Sequence, residues 1–349
     1  MTRIGIAMAF VCLSIGALEA PAAEPHQRVL ARYPTFGVAF REPEGWSEQV
    51  RAKSKTIGWW ISRDSTPENP AAMIMIECGH TSARSLDEVA RGLAKNLDGA
   101  VSDRPSTLGG TRALRVIAKN DGRSLRPVEG LVAIHDGLLY LVMGGVTAGH
   151  SVEDELEAIR ASWTWIPIEP PYKHLEFRDE PLLLSGGVAT INVPALMHTN
   201  PTEHPDRVLD LGLHNVLRNE PDFLAYAQVL SIPEGQTFDG YKDRLSELLR
   251  AQYTLKGPIE WRSSGNNPSR VVSPAIEVET TDKASGRKRR LLIRWAIVKL
   301  DERRLVSVNF TLPPDAPQGH RTYITLVDRI VDTIQPGVGT DQLTKKRRG

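Results

Sequence analysis

Residues 126–146, RPVEGLVAIHDGLLYLVMGGV, decide the fold of this chain. Two apolar runs flank Asp136-Gly137, a dipeptide that accepts the positive φ angles of a tight hairpin turn. The same design returns at residues 290–311, with Asp301-Glu302-Arg303 at the turn, and an amphipathic helix is predicted after each hairpin. The mature protein is therefore predicted to contain two copies of one α/β domain.

Each copy is predicted to run through strands, a helix, further strands ending in the hairpin, and a closing helix. Ser85 and Glu88 have the spacing of a capping box and predict a helix over residues 85–97. Residues 138–143 are apolar on both sides of the strand, so they require cover on both faces of the sheet. The predicted class is α+β: two similar α/β/α sandwich domains, each a mainly antiparallel sheet covered by helices.

The predicted domains are residues 33–168 and residues 175–337, joined through a proline-rich segment that disfavours a floppy linker. Residues 1–23 read as a signal peptide, with cleavage after Ala22 or after Ala23 left open, and residues 338–349 form a charged tail. After cleavage Cys78 is the one remaining thiol, which excludes an intramolecular disulfide, and it is interpreted as a small buried residue. The mature protein is expected in the periplasm or outside the cell, without a stable membrane span.

The chain has 349 residues and a formal net charge of +1, with 41% hydrophobic and 24% charged residues. These values are typical of a globular protein of about two domains. A near-neutral charge gives no reason to expect binding to nucleic acid.

Several stretches of the first copy resemble the PsbP-like superfamily of small α/β/α domains. They are FREPEGW at 40–46, the helix from Ser85, the Asp136-Gly137 hairpin and IRASW at 159–163. The second copy keeps the element order and IVDTI at 330–334, but has PAL at 194–196 where the first has Gly-Trp. The superfamily includes an extrinsic photosystem subunit, a Ran-binding relative and exported bacterial proteins such as DcrB and LpqN. The resemblance implies a non-catalytic domain without a cofactor, and it transfers no functional residue.

Two α/β lobes joined through a proline-rich segment are also similar to periplasmic immunity proteins that clamp a secreted phospholipase effector. That similarity supplies an alternative hypothesis, in which the chain neutralises a secreted effector.

One polar cluster raises the possibility of a metal site, because imidazoles and carboxylates are common ligands of divalent metals. The candidate ligands are His198, Glu203, His204 and Asp206. Two prolines and the lack of a regular period favour a solvated loop over a metal-dependent hydrolase. No Gly-x-Ser-x-Gly, His-Glu-x-x-His or phosphate-loop pattern occurs in the chain.

The remaining candidates are binding residues. A basic cluster lies at the two ends of the second hairpin: Arg287, Lys288, Arg289, Arg290, Arg303 and Arg304. Basic residues at a strand edge also prevent aggregation, which is the simpler interpretation. Trp59 and Trp60 are adjacent in a predicted strand and must point to opposite faces, so an exposed Trp59 is a candidate interface marker.

The sequence thus predicts an exported, non-catalytic binding or assembly protein of the cell envelope. Its expected partner is another envelope or secreted protein, bound at the basic hairpin ends or in the groove between the copies. A small hydrophobic ligand between the domains is a further possibility.

Overall fold

The computed structural model describes residues 30–49, 54–62, 71–118, 126–147, 150–201, 209–265, 267–281, 288–313 and 317–337. The predicted signal peptide and the charged tail lie outside these residues. In the described part of the chain, no helix is long and apolar enough to cross a membrane.

Within its described residues, the first copy contains two α-helices and eleven strands. In chain order these are β1 (Ala31–Tyr33), β2 (Val38–Phe40), β3 (Ser47–Glu48), β4 (Thr56–Ile61), β5 (Ala72–Gly79), α1 (Leu86–Asn96), β6 (Gly99–Val101), β7 (Ser106–Leu108), β8 (Thr111–Ala118), β9 (Arg126–His135), β10 (Leu138–Val146), α2 (Glu153–Ser162) and β11 (Thr164–Trp165).

The second copy repeats this plan. Its elements are β12 (Leu182–Leu184), β13 (Ala189–Ile191), β14 (His198–Pro201), β15 (Leu209–Asn215), β16 (Glu220–Ser231), α3 (Phe238–Gln252), β17 (Thr254–Leu255), β18 (Arg262–Ser264), β19 (Asn267–Val272), β20 (Ile276–Thr281), β21 (Lys288–Lys299), β22 (Arg304–Leu312), α4 (Pro317–Thr333) and β23 (Gln335–Pro336).

The two large sheets have matching strand orders, which confirms the predicted α+β class with two sandwich domains. The first sheet runs β3-β4-β5-β10-β9-β8-β6, and the second runs β14-β15-β16-β22-β21 before it reaches β19 and β20. All pairs are antiparallel. A three-stranded sheet accompanies each, β1-β2-β11 in the first copy and β12-β13-β23 in the second.

The opening hairpin forms as the sequence predicts. Asp136 and Gly137 have φ angles of 48° and 78°, so both central residues take the left-handed conformation of a type I′ turn. Helix α1 begins after Ser85, whose hydroxyl accepts a hydrogen bond from the Glu88 amide at 3.2 Å. The Glu88 carboxylate reaches the Arg84 amide at 2.8 Å instead of the Ser85 amide that a capping box predicts.

Three local features were not predicted from the sequence. Residues 34–36 form a 3₁₀ turn before β2. Strands β18 and β19 escape prediction because their polar residues lack the apolar alternation of a strand. Gly144-Gly145 lies inside β10, where Gly144 lets helix α2 approach the sheet.

The proline-rich connection packs against both copies. The Glu169 amide donates to the Pro34 carbonyl at 2.9 Å, and the Tyr172 ring meets the Tyr323 ring edge-on with centroids 6.3 Å apart. Val216, on the turn after β15, is buried in the core of the first copy, and its carbonyl lies 2.6 Å from His80 Nε2. The two copies are therefore in direct contact.

Replacement of Gly144 by alanine should reduce stability because the new methyl group collides with α2. The added Cβ would lie 2.6 Å from Val152 Cγ2 and 2.8 Å from Leu156 Cδ1. We expect Gly144→Ala to lower the free energy of unfolding in urea by about 1 to 3 kcal/mol.

Gly92→Ala is the matched control, since Gly92 lies in α1 and a Cβ there would meet nothing within 4 Å. This control should raise the free energy of unfolding by about 0.5 to 1 kcal/mol. Wild-type stability of Gly144→Ala would contradict the close packing of α2 on β10.

Candidate binding surface

The two faces of the first sheet are covered unequally. One face packs against α2 and the small sheet, with Phe40, Trp60 and Trp163 at its centre. The other face packs against α1 through Ala90, Ala94 and neighbouring apolar residues. Seven strands span roughly 29 Å at about 4.8 Å per strand, whereas a helix is only about 10 Å wide. Helix α1 therefore covers β6, β8 and β9 but leaves β4 and β5 without a helix in the described part of the chain.

The register of β4, β5 and β10 defines the side chains on this uncovered half. Trp59 lies opposite Met75, Met75 lies opposite Met143, and Glu77 lies opposite Leu141. Directly opposed residues share a face of the sheet. We call the surface formed by Trp59, Met73, Met75, Glu77 and Leu141 the Trp59 face.

The Trp59 face is apolar but incompletely buried. Trp59, Met73, Met75 and Leu141 are all half-buried, in contrast to Trp60 on the opposite face, which is 1% exposed. The prediction that the two adjacent tryptophans point to opposite faces is confirmed. A role of Trp59 in binding stays a prediction.

The corresponding half of the second sheet is polar. Helix α3 packs over β21 through Trp295, Ile293 and Ile297. Beyond it, β15, β16 and β22 place Asp210 opposite Tyr226 and Tyr226 opposite Asn309 on the same face. The Asn309 amide donates to the Tyr226 hydroxyl at 2.8 Å. Leu224, two residues before Tyr226 on this face, is 40% exposed, so this half is mostly rather than wholly polar, whereas the Trp59 face is mostly apolar.

Three histidines line the contact between the copies. The His198 ring lies over Gly212, where a Cβ would be 2.0 Å from the ring. Burial, and then the neighbouring His214, lower the pKa of His198 to about 4, while Asp210 opposes that shift. Burial, and then His80, lower the pKa of His214. The site therefore favours neutral imidazoles.

The metal hypothesis gains no support from the described residues. His198 is in β14, whereas Glu203, His204 and Asp206 lie outside the part of the chain that the structure describes. No group of three or more His, Cys, Asp or Glu side chains within the described ranges is arranged to hold a metal ion.

The predicted basic residues do not form one patch. Strand β21 has twelve residues, so its two ends lie roughly 36 Å apart at about 3.3 Å per residue. At one end Lys288 pairs with Glu279 at 2.7 Å, and Arg290 approaches Glu277 to 3.7 Å. Arg287 and the side chain of Arg289 lie outside the described residues.

At the other end of this hairpin, Arg304 pairs with Asp301 at 2.5 Å. Arg303 is exposed, and its amide donates to the Asp301 carboxylate at 2.8 Å. Acidic neighbours therefore balance much of the positive charge at both ends, and a role for these residues in binding stays a prediction.

A cleft between the copies has a volume of about 340 Å³ and is lined by polar and apolar groups alike. Its polar lining residues are Glu48, Gln49, Arg178, Asp179 and Glu180, and its apolar ones are Pro181, Leu182 and Ala195. The small hydrophobic ligand that the sequence suggested stays a prediction. Cys78 is buried beside Tyr140, and burial raises the pKa of its thiol to about 12, as fits a core residue rather than a nucleophile.

The lowered histidine pKa values predict a loss of stability in acid. In the unfolded chain His198 takes up its proton near pH 6.5, whereas in the folded protein its pKa of about 4 means that it does so only near pH 4. Stability is therefore fully present above pH 6.5 and falls as the pH drops toward 4, by up to about 3 kcal/mol from this residue.

Urea unfolding between pH 7 and pH 4 checks this, with His198→Gln expected to flatten the decline and exposed His150→Gln expected to leave it unchanged. Parallel curves for the wild type and His198→Gln would contradict the assignment.

No protein-family model matches the chain, and no curated protein matches it. Several solved structures are similar to parts of it. The Ran-binding protein Mog1p of Saccharomyces cerevisiae is 11% identical, covers 46% of this chain and 95% of its own, and has a TM-score of 0.32. PsbP (CyanoP) of Synechocystis sp. PCC 6803 is 11% identical over 46% of this chain and 92% of its own, also with a TM-score of 0.32.

A third solved structure is similar over a longer span. The T6SS immunity protein TplEi of Pseudomonas aeruginosa, complexed with "L" peptide, is 12% identical over 84% of this chain and 99% of its own, with a TM-score of 0.24. Similarity at these levels assigns no function to this chain. Its two-domain fold rests on its own strand pairing.

Proposed function

We propose that this chain is an exported, non-catalytic protein that binds another envelope or secreted protein through the Trp59 face. The observation that supports the proposal is a half-sheet of partly exposed Trp59, Met73 and Met75 beyond the reach of helix α1. The export part of the proposal rests on the sequence of residues 1–23.

The residue types of the Trp59 face suit a protein partner. Tryptophan and methionine are enriched in protein interfaces, and tryptophan is a frequent hot spot of binding energy. Methionine side chains are flexible and polarizable, so Met73 and Met75 can adapt to the shape of a partner. Strands β4 and β5 are held rigidly from behind, because Trp60 and Ile76 on their opposite face are fully buried. A rigid backbone carrying adaptable side chains is a suitable binding platform.

The identity of the partner decides between the two forms of this function. A resident envelope protein would make the chain an assembly factor, whereas a secreted effector would make it an immunity protein. The metal-dependent hydrolase is less well supported, since the prolines at 201 and 205 and the lack of a regular period favour a solvated loop for its candidate ligands. Capture experiments from the envelope fraction address the partner directly.

The Trp59→Ala variant should lose partner binding without losing its fold. Trp59 is only half-buried, so its truncation costs less stability than truncation of a fully buried tryptophan, while hot-spot truncation costs about 2 kcal/mol of binding energy or more. We expect the affinity for the captured partner, measured by calorimetry, to fall about 30-fold or more.

Leu248→Ala is the matched control, because Leu248 is 56% exposed on helix α3 of the second copy. Arg303→Ser tests the basic hairpin end in the same assay. Unchanged affinity of Trp59→Ala together with a loss in Arg303→Ser would refute the proposed surface and favour the hairpin.

A further inference from the structure

Glu77 is a carboxylate in the middle of an apolar surface. It lies on β5 opposite Leu141 on one side and Thr56 on the other, two residues along the strand from Met75. Its side chain is only 8% exposed. A carboxylate at such a position requires hydrogen-bond donors, because burial removes the water that would otherwise solvate it.

Only one of the two oxygens of Glu77 has a donor within the described part of the chain. Oε2 pairs with Lys55 Nζ at 3.0 Å, and the Lys55 side chain is 51% exposed. Oε1 is buried and has no hydrogen-bond partner among the described residues. A carboxylate offers about four acceptor sites, so Glu77 can accept a second donor while it keeps Lys55.

The rest of the face matches a ligand that is apolar around one donor group. Met75 lies two residues along β5 from Glu77, and Trp59 lies opposite Met75, so partly exposed apolar side chains border the carboxylate on this face. The second copy differs at the corresponding strands, since the acceptor there that lacks a partner among the described residues is the neutral amide oxygen of Asn309, whose nitrogen donates to Tyr226. A buried carboxylate with an unmet acceptor is therefore a feature of the first copy in the described residues.

We infer that the partner inserts an arginine side chain, carried on an apolar segment, against Glu77 Oε1. The inference deepens the proposed function and rests on it. A guanidinium supplies five donors in a planar arrangement, loses hydration more easily than an ammonium, and stacks on aromatic rings. Glu77 supplies the acceptor and Trp59 supplies the ring. The apolar neighbours of the arginine cover Met73 and Met75.

Two small probes test this on the full chain: n-hexylguanidinium, which carries a charged donor head, and n-hexylurea, its neutral counterpart. Binding is followed by NMR through the methyl signals of Met73 and Met75 and the indole N–H signal of Trp59. We expect hexylguanidinium to shift these signals saturably and to bind about fivefold or more tightly than hexylurea, because its hydrogen bond to the carboxylate is charge-assisted.

Variants separate the parts of the inference. Glu77→Gln should abolish the preference for the guanidinium, whereas Glu129→Gln, which removes the carboxylate paired with Arg115 on β8, should preserve it. Equal affinity for the two probes in the wild type, or no binding of either, would overturn the arginine inference. If Trp59→Ala abolishes partner binding while the wild type binds both probes equally, the proposed surface stands and only the arginine is refuted.

Discussion

The organisation of this protein depends on a mismatch of width between one helix and one sheet face. Seven strands side by side span roughly 29 Å, whereas a helix is about 10 Å wide, so a single helix can cover only part of the sheet. On one face of the first sheet, α2 is supplemented by the small sheet β1-β2-β11, and the core there is continuous. On the other face, α1 is the one covering helix in the described part of the chain, and it leaves β4 and β5 uncovered.

The two copies resolve this shared constraint in different ways. The second copy places mainly polar side chains on the uncovered half, where the Asn309 amide nitrogen donates to the Tyr226 hydroxyl. The first copy keeps the half apolar, with Trp59, Met73 and Met75 partly exposed. Because the sheets have the same strand order, the difference lies in side chains and not in architecture. A duplicated scaffold of this kind lets one copy provide support while the other provides the binding surface.

The fold was predictable because its decisive signals are local. The Asp136-Gly137 turn and the cap at Ser85 each act within a few residues, and both appear in the structure. The opposite orientation of Trp59 and Trp60 follows from the period of a strand. Strand β19 escaped prediction because it is largely polar and continues into β20 only after a break at Pro274.

The candidate surface required the tertiary register, which no local pattern contains. Glu277 and Glu279 reach Arg290 and Lys288 across the β20–β21 pair, and this pairing removes much of the charge that made the hairpin conspicuous. Likewise, the sequence alone does not place Glu77 beside Leu141, because that arrangement joins strands about 65 residues apart. Which half of a sheet a helix covers is set by packing over the whole domain.

Hydroxyl-radical footprinting of the full chain, with and without the partner captured from the envelope, tests the central claim most directly. Methionine and tryptophan react readily with these radicals, so the oxidation of Trp59, Met73 and Met75 measures how exposed the uncovered half-sheet is. The account predicts that oxidation of Trp59, Met73 and Met75 falls in the complex while oxidation of Trp261, which packs beneath α3, stays the same. Unchanged oxidation at Trp59, Met73 and Met75 in a sample whose partner is fully bound would contradict it.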